Sequence, residues 1–394
     1  MIKSVSLQTN IIDDMDLAVL DLANQLKQGP PLLPNSVGIV QCDPEFIEAG
    51  IMPLLHEALG FPLVGGTTVS VATNNEVGNF MLSVLVLTGD EVEFAAGHTT
   101  GLVEDHEGAI ARSMQAALNT SKKPLQLALI FPTVTDNESM PGDCYVEAVE
   151  KICGKVPVFG TLSVDDALKE FNRSMSVYND KAFTREATYV LVFGNAAPRF
   201  FVATVPKQTE LTGNDAVVTK SDGGVVKEIN NMLAVDYFES VGLAENGTFK
   251  QGVYFVPFLV TKNDEEGTSR TFVRALVDFD ENGHVFFRGK VPQGSTLAVA
   301  SLLSDDIMEA TTETMRQITA EEDARAVLIF SCIIRQLSIG SDTLKELAQI
   351  KTTLRPDIPF IASYSGGEIA PIGRDSTGKP LNAFHNYSLI ACLL

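Results

Sequence analysis

Three apolar runs recur along the chain with the same sequel: "VGIVQC" from Val37, "LQLALIF" from Leu125 and "AVLIFSC" from Ala326. Each is too short for a buried helix and too uniformly apolar for a strand with one wet face, so each predicts a strand covered on both sides. A segment with helical character follows every time, roughly over 44–59, 140–154 and 341–354. Then come a proline, a second apolar run and a cluster of small or hydroxyl residues: "GFPLVGGTTVS" at 60–70, "KVPVFGTLSVD" at 155–165 and "DIPFIASYSGG" at 357–367. The pattern predicts strand, helix, strand three times over, with the second strands at 62–66, 157–160 and 359–362. In such a unit the two strands run parallel, and their C-terminal ends share the sheet edge where open α/β sheets bind ligands.

Between these units the period changes to two. "VVTKSDGGVVKEIN" at 217–230 alternates around Asp222-Gly223, and "RALVDFDENGHVFFRG" at 274–289 does so around Asn282-Gly283, so both predict hairpins. Helices are predicted at 231–243 and from Ser304, which can cap while Asp305 and Asp306 suit the positive helix end. "NFMLSVLVL" and "ATYVLVF" read as further buried strands. The fold class is therefore α/β in the mixed α+β sense, with repeated strand-helix-strand units embedded in mixed sheets. A polar, aperiodic stretch at 205–217 places a boundary between a domain over 1–210, with two units, and a domain over 211–394, with one unit and the hairpins.

The third strand end raises a chemical question, because Gly366 and Gly367 are followed at once by the carboxylate of Glu368. Two glycines permit a sharp turn or positive φ. Glu368 would then project into a crevice beside Ser365 and the hydroxyls of Thr67, Thr68 and Ser163. A tight turn with a solvated carboxylate is the plainer alternative.

Composition limits the partners. Fifty acidic against 29 basic residues give a formal charge of −21, which repels phosphate backbones and anionic lipid, so nucleic acid and membrane surfaces are excluded as expected partners. The N-terminus lacks a continuous apolar segment of the signal-peptide kind, and a cytoplasmic location is expected. The five cysteines are scattered without zinc spacing and read as reduced thiols.

"VVTKSDGGVVKEINNMLAVDYFESVGL", "FSCIIR" at 330–335, "GGEIAP" at 366–371 and "FHNYSL" at 384–389 together resemble the FIST family, which joins a FIST N-terminal and a FIST C-terminal domain. The resemblance implies a cytoplasmic sensory module that binds a small ligand such as an amino acid and signals through an output protein. It places the small-hydroxyl turn on Gly65, Gly66, Thr67 and Thr68, where Ser70 and Val71 replace the usual Gly-Glu. At the second strand end Gly160 and Thr161 replace a glycine-rich stretch, and Asp165 lies just beyond. In the C-terminal domain it points to Cys332, Arg335, Gly367, Glu368, His385 and Asn386.

The chemistry of these residues leaves alternatives open. Arg335 offers a planar fork for a ligand carboxylate, and Glu368 a partner for its ammonium; equally, the two side chains can pair with each other and tie two loops. His385 can donate to a ligand, coordinate haem iron or bond a carbonyl. Cys332 reads as a small apolar core residue, or as a nucleophile activated by Arg335 and His385. The ligand-binding reading expects Arg335, Glu368 and His385 to line one pocket, with no catalytic residue, no resident metal and no cofactor, haem being the reserve. The alternative is an enzyme using Cys332 or Glu368 in the same crevice.

Overall fold

A computed structural model describes residues 2–134, 141–165, 173–206, 216–250, 252–263 and 269–394. The first repeat contains β1 (Ile2–Thr9), α1 (Met15–Gln28), β2 (Val37–Cys42), α2 (Pro44–Glu48), α3 (Ile51–Leu59), β3 (Leu63–Thr67), the small strands β4 (Val71–Thr73) and β5 (Val77–Gly78), and β6 (Leu82–Gly89). The second repeats that order with β7 (Val92–His98), α4 (His106–Leu118), β8 (Leu125–Pro132), α5 (Asp143–Cys153), β9 (Val158–Thr161), β10 (Ser176–Tyr178), β11 (Lys181–Phe183) and β12 (Ala187–Gly194).

The third repeat opens with β13 (Arg199–Thr204) and is then interrupted. The insertion holds β14 (Ala216–Asp222), β15 (Val225–Ile229), β16 (Met232–Leu233), α6 (Ala234–Ser240), β17 (Ala244–Glu245), β18 (Thr248–Phe249), β19 (Phe258–Asn263), β20 (Ser269–Arg274), β21 (Leu276–Phe279), β22 (Val285–Phe287) and β23 (Thr296–Val299). Most of these strands form one antiparallel sheet. The repeat resumes with α7 (Ser304–Thr319), β24 (Val327–Cys332), α8 (Ile333–Ile339), α9 (Lys345–Thr353), β25 (Phe360–Ser365), β26 (Glu368–Arg374), β27 (Pro380–His385) and β28 (Ser388–Leu393).

The three predicted strand-helix-strand units are present as the parallel pairs β2–β3, β8–β9 and β24–β25. Their registers superpose on the prolines: the carbonyls of Pro62, Pro157 and Pro359 accept from the amides of Gly38, Ala128 and Val327 at 2.9, 3.0 and 3.0 Å. Each repeat then sends its hairpin into the sheet of another. β4 pairs with β25, β10 with β3 and β26 with β9. The backbone seams repeat the cycle, because the carbonyls of Thr67, Leu162 and Tyr364 accept from Val164 N, Gly366 N and Thr68 Oγ1 respectively.

Three six-stranded sheets result, and their inner faces enclose one core. Val37, Ile39 and Val64 of the first sheet, Leu129, Phe131 and Phe159 of the second, and Leu328, Phe330 and Ile361 of the third all belong to it. Each outer face packs under its own helices. Strand alternation thus explains why these runs are apolar throughout: one set of residues meets the shared core and the other meets the helices.

Several local expectations change. Sheets do not respect the division at 210, because β4 and β13 join β24 and β25, while β26 joins β8 and β9. Residues 207–215 of the proposed boundary lie outside the described residues. Ser304 is the first helical residue, with Leu303 at the cap position and no side-chain cap bond. Asp222 pairs with Val225, so Gly223 and Gly224 make the first hairpin turn. Arg335 lies in α8, a helix that the apolar "SCII" pattern conceals.

Candidate functional site

The inner faces of the three sheets are apolar along most of their length and turn polar where the parallel strands end. Continuing the inward alternation of Ile39, Phe159 and Ile361 places Gln41, Thr161, Ser163, Ser363 and Ser365 in this axial layer. The proline register makes Thr68, Ser163 and Ser365 equivalent. Hairpin pairing likewise makes Val71, Ser176 and Glu368 equivalent, opposite Ser363, Gly66 and Thr161. Only the third repeat carries an ionisable group at that position.

Glu368 is fully buried. Ser365 Oγ donates to its Oε1, while Oε2 has no hydrogen-bond partner. Burial pushes the carboxyl up to about 8, although Ser365, Arg335, Cys332 and the Ser388 amide all act in the opposite direction. Ser163 Oγ and Gln41 Nε2 are likewise buried and unpartnered; Gln41 Oε1 accepts from Ser363 Oγ at 2.9 Å. Buried polar atoms without partners are costly, and here three of them occupy one layer.

The double glycine has a geometric cause. Gly367 has φ of +145°, and a Cβ there would stand 2.4 Å from the Phe384 ring. At Gly366 a Cβ would meet Val134 Cγ2 at 2.8 Å. Both glycines let the chain turn tightly against the second repeat and deliver Glu368 inward.

Cys332 ends β24 beside this carboxyl, paired in register with Ser365. Burial holds its thiol well above the usual range, and the Glu368 charge adds to that; the amides of Ile334 and Tyr387 and the Arg335 charge act in the opposite direction. The half-buried Arg288 of the insertion is electrostatically coupled to Cys332 and Tyr145. The insertion closes over this end of the core. Arg274 donates to Phe384 O at 3.0 Å and pairs with Asp143 at 3.2 Å, and Ala275 N donates to Asn386 Oδ1 at 3.2 Å.

The other sequence candidates separate. Arg335 does not pair with Glu368 and offers nothing to a ligand. Its fully buried guanidinium bonds Glu346 Oε1 at 2.6 Å and Thr311 Oγ1 at 2.9 Å, and reaches the carbonyls of Ala203, Ile307 and Tyr387. Ser331 and Thr311 complete the Glu346 carboxylate. Enclosure in the outer layer of the third repeat forces this pairing, because an unpaired buried guanidinium would be far more costly.

His385 and Asn386 leave the axial layer for a separate cleft of about 150 Å³, lined also by Thr204, Phe272, Arg274 and Ile372. His385 Nε2 meets Ala370 O at 3.1 Å, and burial lowers the ring to about 4, which keeps it neutral. Asp165 accepts from Arg173 N at 2.7 Å, and Thr67 Oγ1 accepts from Met175 N at 3.0 Å, so both fasten the 173–175 segment. Thr68 Oγ1 is committed to Tyr364 O at 2.8 Å. That bond brings the first and third strand ends together as the repeat predicts.

Sequence reasoning passed over Gln41. Gln41 is the one amide in an otherwise apolar run, and Ser163 falls into place when the three prolines are aligned. Among the described residues no cluster of His, Cys, Asp and Glu has the arrangement of a metal site.

Residues 36–232 match the FIST N domain and residues 234–371 the FIST C domain, so the chain belongs to the FIST family. FIST domains are sensory, ligand-binding modules of signal transduction. No curated protein matches the chain. The junction between the two matched domains falls inside the insertion, next to α6. Among the described residues no helix is long and apolar enough to cross a membrane.

Proposed function

We propose that this chain is a cytoplasmic sensor, without catalytic activity of its own, that binds a small polar metabolite such as an amino acid in the axial layer. Glu368 takes the ligand's ammonium group. Ser163 Oγ and Gln41 Nε2 supply donors for its carboxylate, the role that Arg335 cannot fill. The observation that carries this reading is the fully buried Glu368 carboxyl whose Oε2 has no hydrogen-bond partner, since a buried carboxylate is stabilised by a cation docking against it. Ligand entry requires the insertion to lift, and that movement is what a separate signalling protein would read.

Thermal melting of the purified protein against a panel of amino acids and small amines tests this, because a ligand that binds the folded state raises the transition by mass action. A rise for the wild type that disappears in Glu368→Gln and weakens in Ser163→Ala is expected. A ligand whose effect survives Glu368→Gln places the binding site elsewhere.

A further inference from the structure

We infer that the cleft beside His385 is the outer half of the proposed ligand site, and that it takes a neutral, ring-sized side chain ending in a hydrogen-bond donor. The inference rests on the ammonium site at Glu368 for the other half of the ligand.

Strand alternation puts the two halves side by side. Ile369 and Phe384 pack under the helices of the second repeat, while Ala370 faces the shared core. Glu368 and His385 stand directly opposite each other in the β26–β27 pair, so both project from the same inner face. Their Cβ atoms are then about 5 Å apart. β13 closes the other side: Val202 packs against the shared core, and Thr204, two residues on, hydrogen-bonds Ser388 Oγ at 2.7 Å. The Ser388 amide in turn acts on the Glu368 carboxyl. Asn386, which also lines the cleft, reaches back to the glycine turn, with Nδ2 3.5 Å from the place a Cβ on Gly367 would occupy. Ile372, 41% exposed, stands at the cleft's solvent side. A ligand with its ammonium on Glu368 thus needs a spacer of only a few bonds to reach past His385 into the cleft.

The lining sets the chemistry. The Arg274 guanidinium is taken up by Asp143 and by the carbonyls of Val273, Phe384 and Lys290, so a charged side chain finds no counter-ion in the cleft. Thr204 and Thr271 commit their hydroxyls to Ser388 and Thr261, each at 2.7 Å. His385 differs from these. A carbonyl only accepts, so Nε2 carries the hydrogen that meets Ala370 O, and the neutral ring keeps a lone pair on Nδ1, which has no hydrogen-bond partner in the protein. The rest of the lining is mostly apolar, from Val202, Phe272, Val273 and Ile372. An apolar space of about 150 Å³ accommodates a benzene-sized ring. A phenolic side chain meets both demands, its ring against the apolar walls and its O–H donated to Nδ1.

The test is calorimetric titration of the intact protein with four probes: propylamine, tyramine, 4-methoxyphenethylamine and 4-ethylphenol. Tyramine is expected to bind at least tenfold more tightly than propylamine, and more tightly than the methoxy analogue, which cannot donate to Nδ1. 4-Ethylphenol, which lacks the ammonium, should bind without releasing a proton and be displaced by tyramine. Ile372→Trp, which crowds the cleft from an exposed position that tolerates the larger side chain, should remove tyramine's margin over propylamine. Tyramine no tighter than propylamine overturns the inference by the wild-type data alone. A methoxy analogue bound as tightly as tyramine overturns the acceptor role of His385. Tyramine binding that survives Glu368→Gln but falls in Ile372→Trp upholds the cleft and contradicts the ammonium site instead, so the two failures are distinct.

Discussion

Glu368 pairs directly with Thr161, so the hairpin that begins the third repeat's polar corner completes the second repeat's sheet. The same exchange links Val71 to Ser363. Neither half of the chain therefore owns all the strands of its sheets. Fragments 1–206 and 216–394 produced separately should lack a cooperative thermal transition, because each exposes unpaired edges and an uncovered inner face. Mixing them should restore one. A sharp independent transition in either fragment would contradict the exchanged topology.

Arg335 and Glu346 make the second prediction. Arg335→Ala leaves a buried, uncompensated carboxylate and should cost about 3–5 kcal/mol without any ligand present. Replacing both partners together, Arg335→Met with Glu346→Leu, should recover most of that loss. Chemical denaturation of the wild type and the two variants checks this. A single variant as stable as the wild type would mean that the pair is dispensable.

Glu368 itself should impose a stability cost that grows with pH. Its carboxyl is raised from 4.5 to about 8, so the folded chain holds a proton that the unfolded chain has released across that window. Stability from this group is full below about 4.5 and falls as pH rises toward 8. At pH 7 the cost is of the order of 3 kcal/mol, from about 1.4 kcal/mol per pH unit. Glu368→Gln should therefore melt higher than the wild type at pH 7, with the difference vanishing near pH 4. Equal pH profiles for the two proteins would show that the carboxyl ionises as freely as in water.

Much of this was legible in the sequence, and the failures have physical causes. Proline followed by a short apolar run and hydroxyl residues marks all three strand ends, because burial on both faces and a tight C-terminal turn each restrict residue type. The destination of each hairpin was not legible: "GGTTVSVAT" contains nothing to say that Val71 will lie against Ser363 rather than a neighbour in its own repeat. Glu368 and its two glycines were found because a charge at the end of a buried strand is rare. Arg335 was misassigned because "SCIIR" reads as the continuation of a strand, whereas α8 turns the guanidinium outward to Glu346, a residue that looks like an ordinary helix-surface glutamate. His385 sits opposite Glu368 in register, and only the three-dimensional packing shows it bonded to Ala370 and lining a different cleft.

The central claim is that the buried, protonated Glu368 receives a cationic ligand, and proton release measures it most directly. Calorimetric titration of the amino acid or amine that raises the melting temperature, repeated at pH 7 in buffers of different ionisation enthalpy, gives the number of protons exchanged on binding. An ammonium docking on Glu368 must drive off the proton that burial holds there, so close to one proton should be released per ligand bound, declining above about pH 8. Glu368→Gln should release none and bind at least tenfold more weakly. Tight binding with no proton released by the wild type, or with full affinity in Glu368→Gln, would contradict the account.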